Sequence, residues 1–441
     1  MRFKNPALIQ IIAGFIFLFS CTATKPIPNM ENKPVVPKTA SPSDSMAGDH
    51  FLEDLMKQYP AYFSEILKNR KAWNVQVIYT QVNRGPNGEP VLEQHDFNTD
   101  ASRYFYPAST VKLPIVLLAL QRLNELKSKG IDKYTTMITE KGADWQTPVY
   151  NDPTTPDGRP SIAHYIKKIL MVSDNDAFNR LYEFLGQGYI NDQLHKKGYP
   201  SAQILHHLNI FLTEEQNSET NPVRFLDNNN NPIYDQLAQT NTARYKDRND
   251  SIGNAYYKAG KLINEPMNFS KKNRITLQDL TNILISLVFP GKVKPSQRFN
   301  LSDEDKQFVL KYMSQLPTES IYPAYGDDTA NYWPAYGKQL LFGTAKGKWP
   351  DHIRIFNKEG DAYGHMLDIA YVVDFENKVE FFLSALIYCN SDGILNDDKY
   401  DYNTIGLPFM KNLGQVIYSY ELKRQRKNKP DLSPFIFKYD K

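Results

Sequence analysis

The sequence predicts an α+β fold: a five-stranded antiparallel sheet built from both chain ends, flanking helices, and an inserted all-helical lobe. Two segments rich in Val, Ile and Tyr lie within residues 74–97, and three more lie within residues 353–388. Between the two groups, apolar residues recur mostly at helical spacing. If the strand groups pair, the chain ends share one lobe, and the cleft beside the helical lobe is the default binding site.

The composition of the 441-residue chain excludes several classes of protein. Hydrophobic residues make up 41% and charged residues 23%, which is typical of a globular protein and not of a disordered tail or a membrane bundle. The formal charge of +3 is too small a surplus for a nucleic-acid-binding surface. The two cysteines, Cys21 and Cys389, form no Cys-x-x-Cys, which excludes a disulfide framework and a cysteine zinc site.

The first twenty residues predict an export signal. Arg2 and Lys4 give a basic start, and the apolar run at residues 7–19 is too short to span a bilayer. The run ends in Leu-Phe-Ser-Cys, which resembles a bacterial lipoprotein box with Cys21 as the lipidated residue. We therefore expect a lipoprotein anchored to a membrane of the cell envelope, periplasmic or on the outer surface; an ordinary secreted protein is the alternative.

The rest of the chain divides into a tether and two lobes. Residues 21–50 carry five prolines among Ser, Thr and Lys, a composition that predicts an extended tether. We expect residues 51–105 and 345–441 to form the α/β lobe and residues 106–344 to form the helical lobe. Within the latter, residues 201–274 are Asn-rich without a clear period, which predicts a long irregular insertion.

Local patterns predict each element in turn. A helix is expected over residues 51–68, with a kink at Pro60, and then strands over residues 74–82 and 90–97 around a Gly-Pro-Asn-Gly turn. Five helices follow, over residues 111–126, 162–171, 177–185, 277–288 and 303–313. The chain closes with strands over 353–357, 366–375 and 379–388 and a helix over 405–420, and Cys389 is expected to be buried.

A short motif at the head of the second predicted helix, residues 111–126, carries a candidate nucleophile. Ser109 and Lys112 are three residues apart, so that one helical turn can bring the amine beside the hydroxyl. Apolar neighbours lower the pKa of an amine, and a neutral lysine can take the hydroxyl proton. Ser-x-x-Lys alone occurs by chance in a chain of this length. The prediction therefore rests on its position at the start of a strongly apolar helix.

Two further motifs lie at junctions between elements. Ser173-Asp174-Asn175 separates two predicted helices, where these residue types also serve as ordinary caps. As chemistry, its hydroxyl and amide can relay a proton and hold a substrate amide. Lys358-Glu359-Gly360 follows a predicted strand, where a cation and a glycine can bind an anionic group and let a substrate backbone approach. An ordinary charged strand end is the alternative.

Together the motifs resemble those of the penicillin-recognising serine hydrolases, most closely class A β-lactamases, with Ser-x-x-Lys, Ser-Asp-Asn and Lys-Thr-Gly in this order. The resemblance covers roughly residues 51–422 and implies a β-lactamase/D,D-peptidase-like fold. It implies that Ser109 forms an acyl-enzyme, that Lys112 is its general base, and that Ser173 passes the proton to the leaving nitrogen.

The same resemblance implies the substrate contacts. Asn175 would contact the substrate side-chain amide, and Lys358 would bind its carboxylate. The backbone N–H groups of Ser109 and Asp361 would form the oxyanion hole, on the strand that carries Glu359 and Gly360. Neither a metal nor an organic cofactor is implied.

Two departures from this pattern affect the expected activity. Class A β-lactamases carry Glu-x-x-Leu-Asn, whose Glu activates the deacylating water; the only Leu-Asn in the corresponding region is Leu208-Asn209, which places Leu205 at the position of the base. Glu214, Glu215 and Glu219 are the nearby carboxylates, although acidic loop residues are more often simply solvated. Fast deacylation is therefore not expected. Glu359 replaces Thr or Ser and puts a negative charge where an anionic substrate end would dock, so typical penicillins are expected to bind poorly.

The resulting hypothesis is an exported serine hydrolase that acylates on Ser109 and hydrolyses a β-lactam or a related amide. Its expected partners are a small-molecule β-lactam or a peptidoglycan peptide, with membrane attachment through Cys21 and no nucleic acid. A D,D-peptidase or transpeptidase is the closest alternative, because it needs no deacylating Glu. A non-catalytic protein that binds an envelope ligand is the third.

Overall fold

The computed structural model describes residues 50–347 and 349–441. The predicted export signal, the lipidation site Cys21 and nearly all of the tether lie outside the described residues. All residues that the structure describes belong to one unit, Met46–Lys441. The proposed boundaries between the two lobes stay a prediction.

Helices and strands of the described residues are numbered here in chain order. The helices are α1 Phe51–Lys57, α2 Pro60–Lys68, α3 Lys112–Glu125, α4 Ile162–Val172, α5 Asn175–Leu185, α6 Gln187–Lys196, α7 Glu214–Ser218, α8 Leu277–Val288, α9 Asp303–Ser314, α10 Gln339–Phe342 and α11 Leu407–Lys423. The strands are β1 Gln76–Arg84, β2 Pro90–Phe97, β3 Thr136–Thr139, β4 Val223–Leu226, β5 Pro232–Gln236, β6 Ser251–Ile252, β7 Ala255–Lys258, β8 Lys261–Ile263, β9 Met267–Asn268, β10 Ile353–Ala362, β11 His365–Asp374, β12 Val379–Tyr388 and β13 Ile394–Leu395.

The central sheet confirms the predicted fold class. It has five strands in the order β10-β11-β12-β1-β2, and all of its pairings are antiparallel. The pair β1 with β12, in which Tyr79 lies opposite Leu383, joins the start of the chain to its end. Strand β10 is an edge strand, so one of its sides is open to the helical part of the molecule.

Alternate residues of the sheet enter two different apolar cores. Leu367, Ile369 and Tyr371 belong to the core that also contains α3, α4, α5, α8 and α9. Met366, Ala370 and Val372, whose positions differ from these by one residue, belong to the core that contains α1, α2 and α11. Both faces of the sheet are therefore covered, as the period of two in a strand requires. Helix α3 is apolar on nearly every side and lies in the first core, which fixes the position of its N-terminus.

The main differences from the sequence-based elements have local causes. The predicted kink at Pro60 is a break between two helices, since Pro60 is the first residue of α2. Strand β10 runs five residues further than expected, to Ala362, so Lys358 to Asp361 lie inside a strand and not beyond its end. Cys389 is buried, as predicted.

The predicted irregular insertion is partly ordered. Residues 201–274 contain α7 and six short strands, of which β4 and β5 form a three-stranded sheet with β3, from outside the insertion. Each of these strands has five residues or fewer, so none shows a period that could be recognised. No helix in the described part of the chain is long and apolar enough to cross a bilayer.

The C-terminal helix is tied to the first strand by a buried carboxylate. Glu421 of α11 has no exposed surface and accepts hydrogen bonds from the Tyr79 hydroxyl and from Arg424 and Arg426. Its distance to Arg424 Nε is 2.9 Å. A buried ion pair of this kind contributes little to the free energy of unfolding relative to an apolar pair. Loss of one partner, however, leaves the other charge buried without compensation.

Replacing Glu421 by Gln is therefore expected to lower the free energy of unfolding by about 3 kcal/mol. Chemical denaturation followed by circular dichroism measures the change. Glu376→Gln is the matched control, since that side chain is 73% exposed, and it should change the free energy by less than about 0.5 kcal/mol. An unchanged midpoint for Glu421→Gln would show that apolar packing alone holds α11.

Candidate active site

The N-terminus of α3 carries the candidate nucleophile. Ser109 lies on a 3₁₀ turn, Ala108–Val111, that leads directly into α3, whose first residue is Lys112. Ala108 has a φ of +46°, a left-handed conformation that a residue with a Cβ adopts only at a cost. This strained turn leaves Ser109 partly exposed, while Lys112 has no exposed surface.

The Lys112 amine makes four polar contacts. Its Nζ lies 2.8 Å from Ser109 Oγ, 2.5 Å from the Ser173 carbonyl oxygen, 3.1 Å from Ser173 Oγ and 2.7 Å from Asn175 Oδ1. No carboxylate among the described residues lies within ion-pair distance of this amine. The lysine is thus buried among neutral oxygen atoms.

This environment favours the uncharged amine. Burial away from solvent, together with the nearby Lys358 ammonium, lowers the pKa of Lys112 well below its ordinary 10.5. The carboxylates of Glu359, Asp174 and Asp361 act in the opposite direction, but they lie too far away to outweigh burial. A neutral amine next to a hydroxyl can accept its proton.

The Ser173 loop approaches from the junction of α4 and α5. Ser173 caps α4 in a left-handed conformation, with φ of +59°. Asp174 caps α5, because its carboxylate accepts a hydrogen bond of 2.8 Å from the Ala177 N–H. Different residues of this motif therefore make the two kinds of contact. Asp174 caps helix α5, while the side chains of Ser173 and Asn175 contact the Lys112 amine.

Strand β10 supplies the third side of the site. Lys358 is fully buried. Its Nζ lies 2.9 Å from Ser173 Oγ, 2.9 Å from the Glu359 carbonyl oxygen and 3.0 Å from Glu359 Oε1. Ser173 Oγ thus lies between the two lysine amines. Burial opposes ionisation of Glu359, but the Lys358 ammonium outweighs it and lowers the pKa of Glu359.

Gly360 allows β10 to pass close to the nucleophile turn. A Cβ at Gly360 would lie 2.6 Å from the Ser109 backbone N and 3.0 Å from that of Thr110. The next residue of this edge strand is Asp361, whose side chain is exposed. The Gly360 backbone therefore lies against the Ser109 amide, next to Asp361, whose backbone N–H the resemblance assigns to an oxyanion hole.

The structure therefore brings together Ser109, Lys112, Ser173, Asn175 and Lys358, with Gly360 and Asp361 beside them. It does not bring the candidate deacylation groups to them. Leu205 and Glu214 line a cavity of about 690 Å³ whose lining includes none of the motif residues. Glu215 is exposed on α7, and the Glu219 backbone pairs with Thr240. No described hydrogen bond or ion pair connects these carboxylates to Ser109 or Lys112.

Sequence reasoning missed two sets of residues around the site. Behind Glu359, the Lys338 Nζ donates to Asn357 Oδ1 at 2.7 Å, and Asn357 Nδ2 donates to Asp368 Oδ1 at 2.8 Å. Burial lowers the pKa of Lys338 to about 8 and raises that of Asp368 to about 7. A buried Asp between apolar residues of β11 was the available signal.

The second missed set is an aromatic cluster that supports the nucleophile turn. Phe269 of the insertion lies 5.9 Å from Tyr106 and 5.1 Å from Tyr363, measured between ring centroids. Ala108 belongs to the same apolar cluster. The insertion therefore braces both the turn before Ser109 and the β10–β11 turn, although nothing in the spacing of its sequence indicates this.

Comparison with known proteins identifies one matching family. A family model described as the beta-lactamase enzyme family matches residues 61–420. No curated protein matches the chain. Among solved structures, a class A β-lactamase from Clostridium kluyveri DSM 555 is similar, with 15% identity and a TM-score of 0.44 over 82% of this chain and 98% of its own.

Two further structures show similar values. A β-lactamase from Sphaerobacter thermophilus DSM 20745 has 13% identity and a TM-score of 0.43 over 82% of this chain and 96% of its own. A variant of PBP-A, solved as an acyl-enzyme complex with penicillin G, has 15% identity and a TM-score of 0.44 over 85% of this chain and 98% of its own.

The depressed pKa of Lys112 predicts the pH dependence of Ser109 reactivity. Labelling of Ser109 by a fluorophosphonate should rise with pH as Lys112 loses its proton and level off well below pH 10.5. Lys112→Arg should lower the rate by about 10² or more, because a guanidinium keeps its proton. Peptide mass spectrometry locates and times the labelling.

Lys197→Arg is the matched control for this pH profile. Burial lowers the pKa of Lys197 to about 8, but its Nζ donates to the Arg298 carbonyl oxygen and not to the motif residues. A profile that Lys197→Arg shifts as much as Lys112→Arg would contradict the assignment of the base.

Gly360→Ala should separate strand β10 from the nucleophile turn. Because the added Cβ would meet the Ser109 backbone N at 2.6 Å, the backbone must move. Loss of one oxyanion donor typically costs about 10² to 10³ in rate, so labelling of Ser109 should fall by at least a factor of about 100. Gly291→Ala, which meets nothing within 4 Å, is the control. Equal labelling rates in both variants would rule out a role for this close approach.

Proposed function

The chain belongs to the β-lactamase enzyme family, and from that premise we propose that it is a serine hydrolase that forms an acyl-enzyme on Ser109 and acts on a β-lactam or a related amide. The observation that carries the proposal is the buried Lys112 amine, 2.8 Å from Ser109 Oγ and without a carboxylate partner. Burial of a lysine without a counter-charge costs free energy of folding. A role of Lys112 in activating the Ser109 nucleophile accounts for a lysine at this position.

The hydrogen-bond pattern around Lys112 fits the neutral amine. A neutral amine has two N–H donors and one lone pair. The Ser173 carbonyl oxygen and Asn175 Oδ1 can only accept, so they take the two N–H groups. The lone pair then remains for the Ser109 hydroxyl, which is the direction of proton transfer that activates Ser109.

Acylation then proceeds in two steps, formation and collapse of a tetrahedral intermediate. Ser109 Oγ attacks the substrate carbonyl carbon while its proton moves to Lys112 Nζ, and the carbonyl oxygen becomes an oxyanion held by the Ser109 and Asp361 backbone amides. When the tetrahedral intermediate collapses, the C–N bond breaks. The leaving nitrogen takes a proton from Ser173 Oγ, which is replenished by Lys112 at 3.1 Å. The products are the Ser109 ester and an amine, which is released from an open-chain amide and stays attached to the acyl group of a β-lactam.

Asn175 orients the Lys112 amine, and Lys358 orients the Ser173 hydroxyl. Asn175 Oδ1 orients the Lys112 amine at 2.7 Å, which leaves its Nδ2 group to donate to a substrate amide. Lys358 Nζ donates to Ser173 Oγ at 2.9 Å. This bond turns the Ser173 hydroxyl hydrogen away from Lys358 and towards the cleft.

Deacylation by water is the weak step of the proposed cycle. Leu205, at the position that the resemblance assigns to the base, cannot take a proton, and Glu214, Glu215 and Glu219 do not contact the motif residues. The lack of contact between these three carboxylates and the motif favours a D,D-peptidase or transpeptidase as the second candidate function, since neither needs a Glu at the position of Leu205.

We further propose that the protein works in the cell envelope, exported and anchored through a lipidated Cys21. The basic start, the short apolar run and the Leu-Phe-Ser-Cys sequence support this placement. In that compartment, peptidoglycan peptides and β-lactams are the amides within reach. A non-catalytic ligand-binding protein would need no depressed pKa at Lys112, so the geometry disfavours it.

The proposal predicts a long-lived penicillin adduct. Incubation of the full-length chain with millimolar benzylpenicillin should add the mass of the intact drug to Ser109, and the adduct should persist for minutes or longer because Leu205 stands at the position of the water-activating Glu and Glu214, Glu215 and Glu219 do not contact the motif residues. Intact-mass spectrometry over time measures both steps, and Ser109→Ala should show no adduct. An adduct that disappears within seconds would instead indicate an efficient β-lactamase, and no adduct or hydrolysis at any concentration would contradict the proposal.

A further inference from the structure

The end of the site beside Glu359 differs from one built to bind a carboxylate. We propose that Glu359 selects substrates whose leaving group carries an N–H donor, a carboxamide or an ammonium group, at the position beside Lys358. This inference rests on the proposed acylation of Ser109 and assigns the chemical class of the substrate end that departs.

The Lys358 ammonium has no hydrogen-bonding capacity left for a substrate. An ammonium group has three N–H donors. Their three acceptors are Ser173 Oγ, the Glu359 carbonyl oxygen and Glu359 Oε1, all between 2.9 and 3.0 Å. The Lys358 side chain has no exposed surface. Its charge is thus neutralised and enclosed by the protein itself.

The other two lysines of the site are also buried. Lys112 uses both N–H groups of its neutral amine on Ser173 and Asn175. Lys338 is buried and donates to the Met313 carbonyl oxygen and to Asn357 Oδ1. Lys112 and Lys358 therefore have no free N–H for a substrate carboxylate, and the third N–H of the Lys338 ammonium belongs to a side chain that is only 4% exposed.

Acceptors, in contrast, remain open on the same side. The Glu359 side chain is 12% exposed, and its Oε2 accepts no hydrogen bond from another described residue. Only the Lys358 ammonium lies between this carboxylate and the Ser173 hydroxyl. Two residues along β10, the exposed Asp361 carboxylate accepts no hydrogen bond from any side chain that the structure describes. A ligand that approaches Ser109 along β10 therefore meets unpaired carboxylate oxygens.

These charges discriminate between substrates in a simple way. A substrate carboxylate would lie next to the ionised Glu359, and the Lys358 ammonium, already bonded to Glu359, has no N–H left to bind it. An amide or ammonium N–H would form a charge-assisted hydrogen bond to Glu359 Oε2. Sites with such polar groups discriminate strongly, because the wrong substrate leaves a carboxylate unpaired.

Three matched esters test the inference on the purified full-length chain. Each is a phenylacetylglycyl phenyl ester, with a carboxylate, a carboxamide or an aminomethyl group at the same position of the leaving phenol. The value of kcat/KM, corrected for spontaneous hydrolysis and for the rate with Ser109→Ala, measures acylation. We expect the carboxylate ester to react at least tenfold more slowly than either of the other two.

Variants of Glu359 test whether this residue sets the preference. Glu359→Thr should free one Lys358 N–H and reverse the order in favour of the carboxylate ester. Glu359→Gln keeps the side-chain shape without the charge, and it should bring the three values within about threefold of one another. Glu376→Gln, at the opposite end of the sheet, should leave the order unchanged.

The outcomes separate this inference from the proposed function. If none of the esters reacts faster with the native chain than with Ser109→Ala, acylation itself fails and the inference fails with it. If the esters do react on Ser109 but the carboxylate ester is preferred, or Glu359→Thr leaves the order as it was, only the inference is overturned. The ranking by the native chain requires no variant, so a Glu359 variant that does not fold leaves a decisive measurement.

Discussion

The burial of the Lys112 amine without a counter-charge is the interaction on which the rest of the site depends. Its oxygen ligands come from the nucleophile turn and from the Ser173 loop, so the amine connects two separate elements at distances between 2.5 and 3.1 Å. An ammonium in that position would need a carboxylate, and none of the described residues places one within ion-pair distance. The position therefore favours the neutral base, and its free-energy cost is offset by the apolar packing of α3, which is buried along most of its length.

Strand β10 completes the site because it is an edge strand with a glycine at the point of contact. The open edge lets the backbone of Gly360 and Asp361 approach the turn that carries Ser109, and the missing Cβ makes the approach possible. On the same strand, Lys358 and Glu359 neutralise each other. If the proposed acylation of Ser109 holds, acylation and substrate choice are set by neighbouring residues of this one strand.

The insertion has a structural role that extends to the site. Phe269 joins Tyr106, Ala108 and Leu395 in one apolar cluster, which places the insertion against the residues that precede the nucleophile. The strained conformation of Ala108 needs such support, because a left-handed residue persists only when its surroundings hold it. Support from the insertion is consistent with the family match, which extends across this segment, from residue 61 to residue 420.

The amino-acid sequence by itself determined the fold class, the strands of the central sheet and the order of the three motifs, because each of these depends on short-range patterns of period, capping and spacing. The tertiary structure alone decided the rest. The extension of β10 to Ala362, the strands of the insertion and the Lys338–Asn357–Asp368 network depend on partners far away in the chain. The protonation of Lys112 and the pairing of Lys358 with Glu359 are decided there too, since burial and distance between charges exist only after the chain has folded.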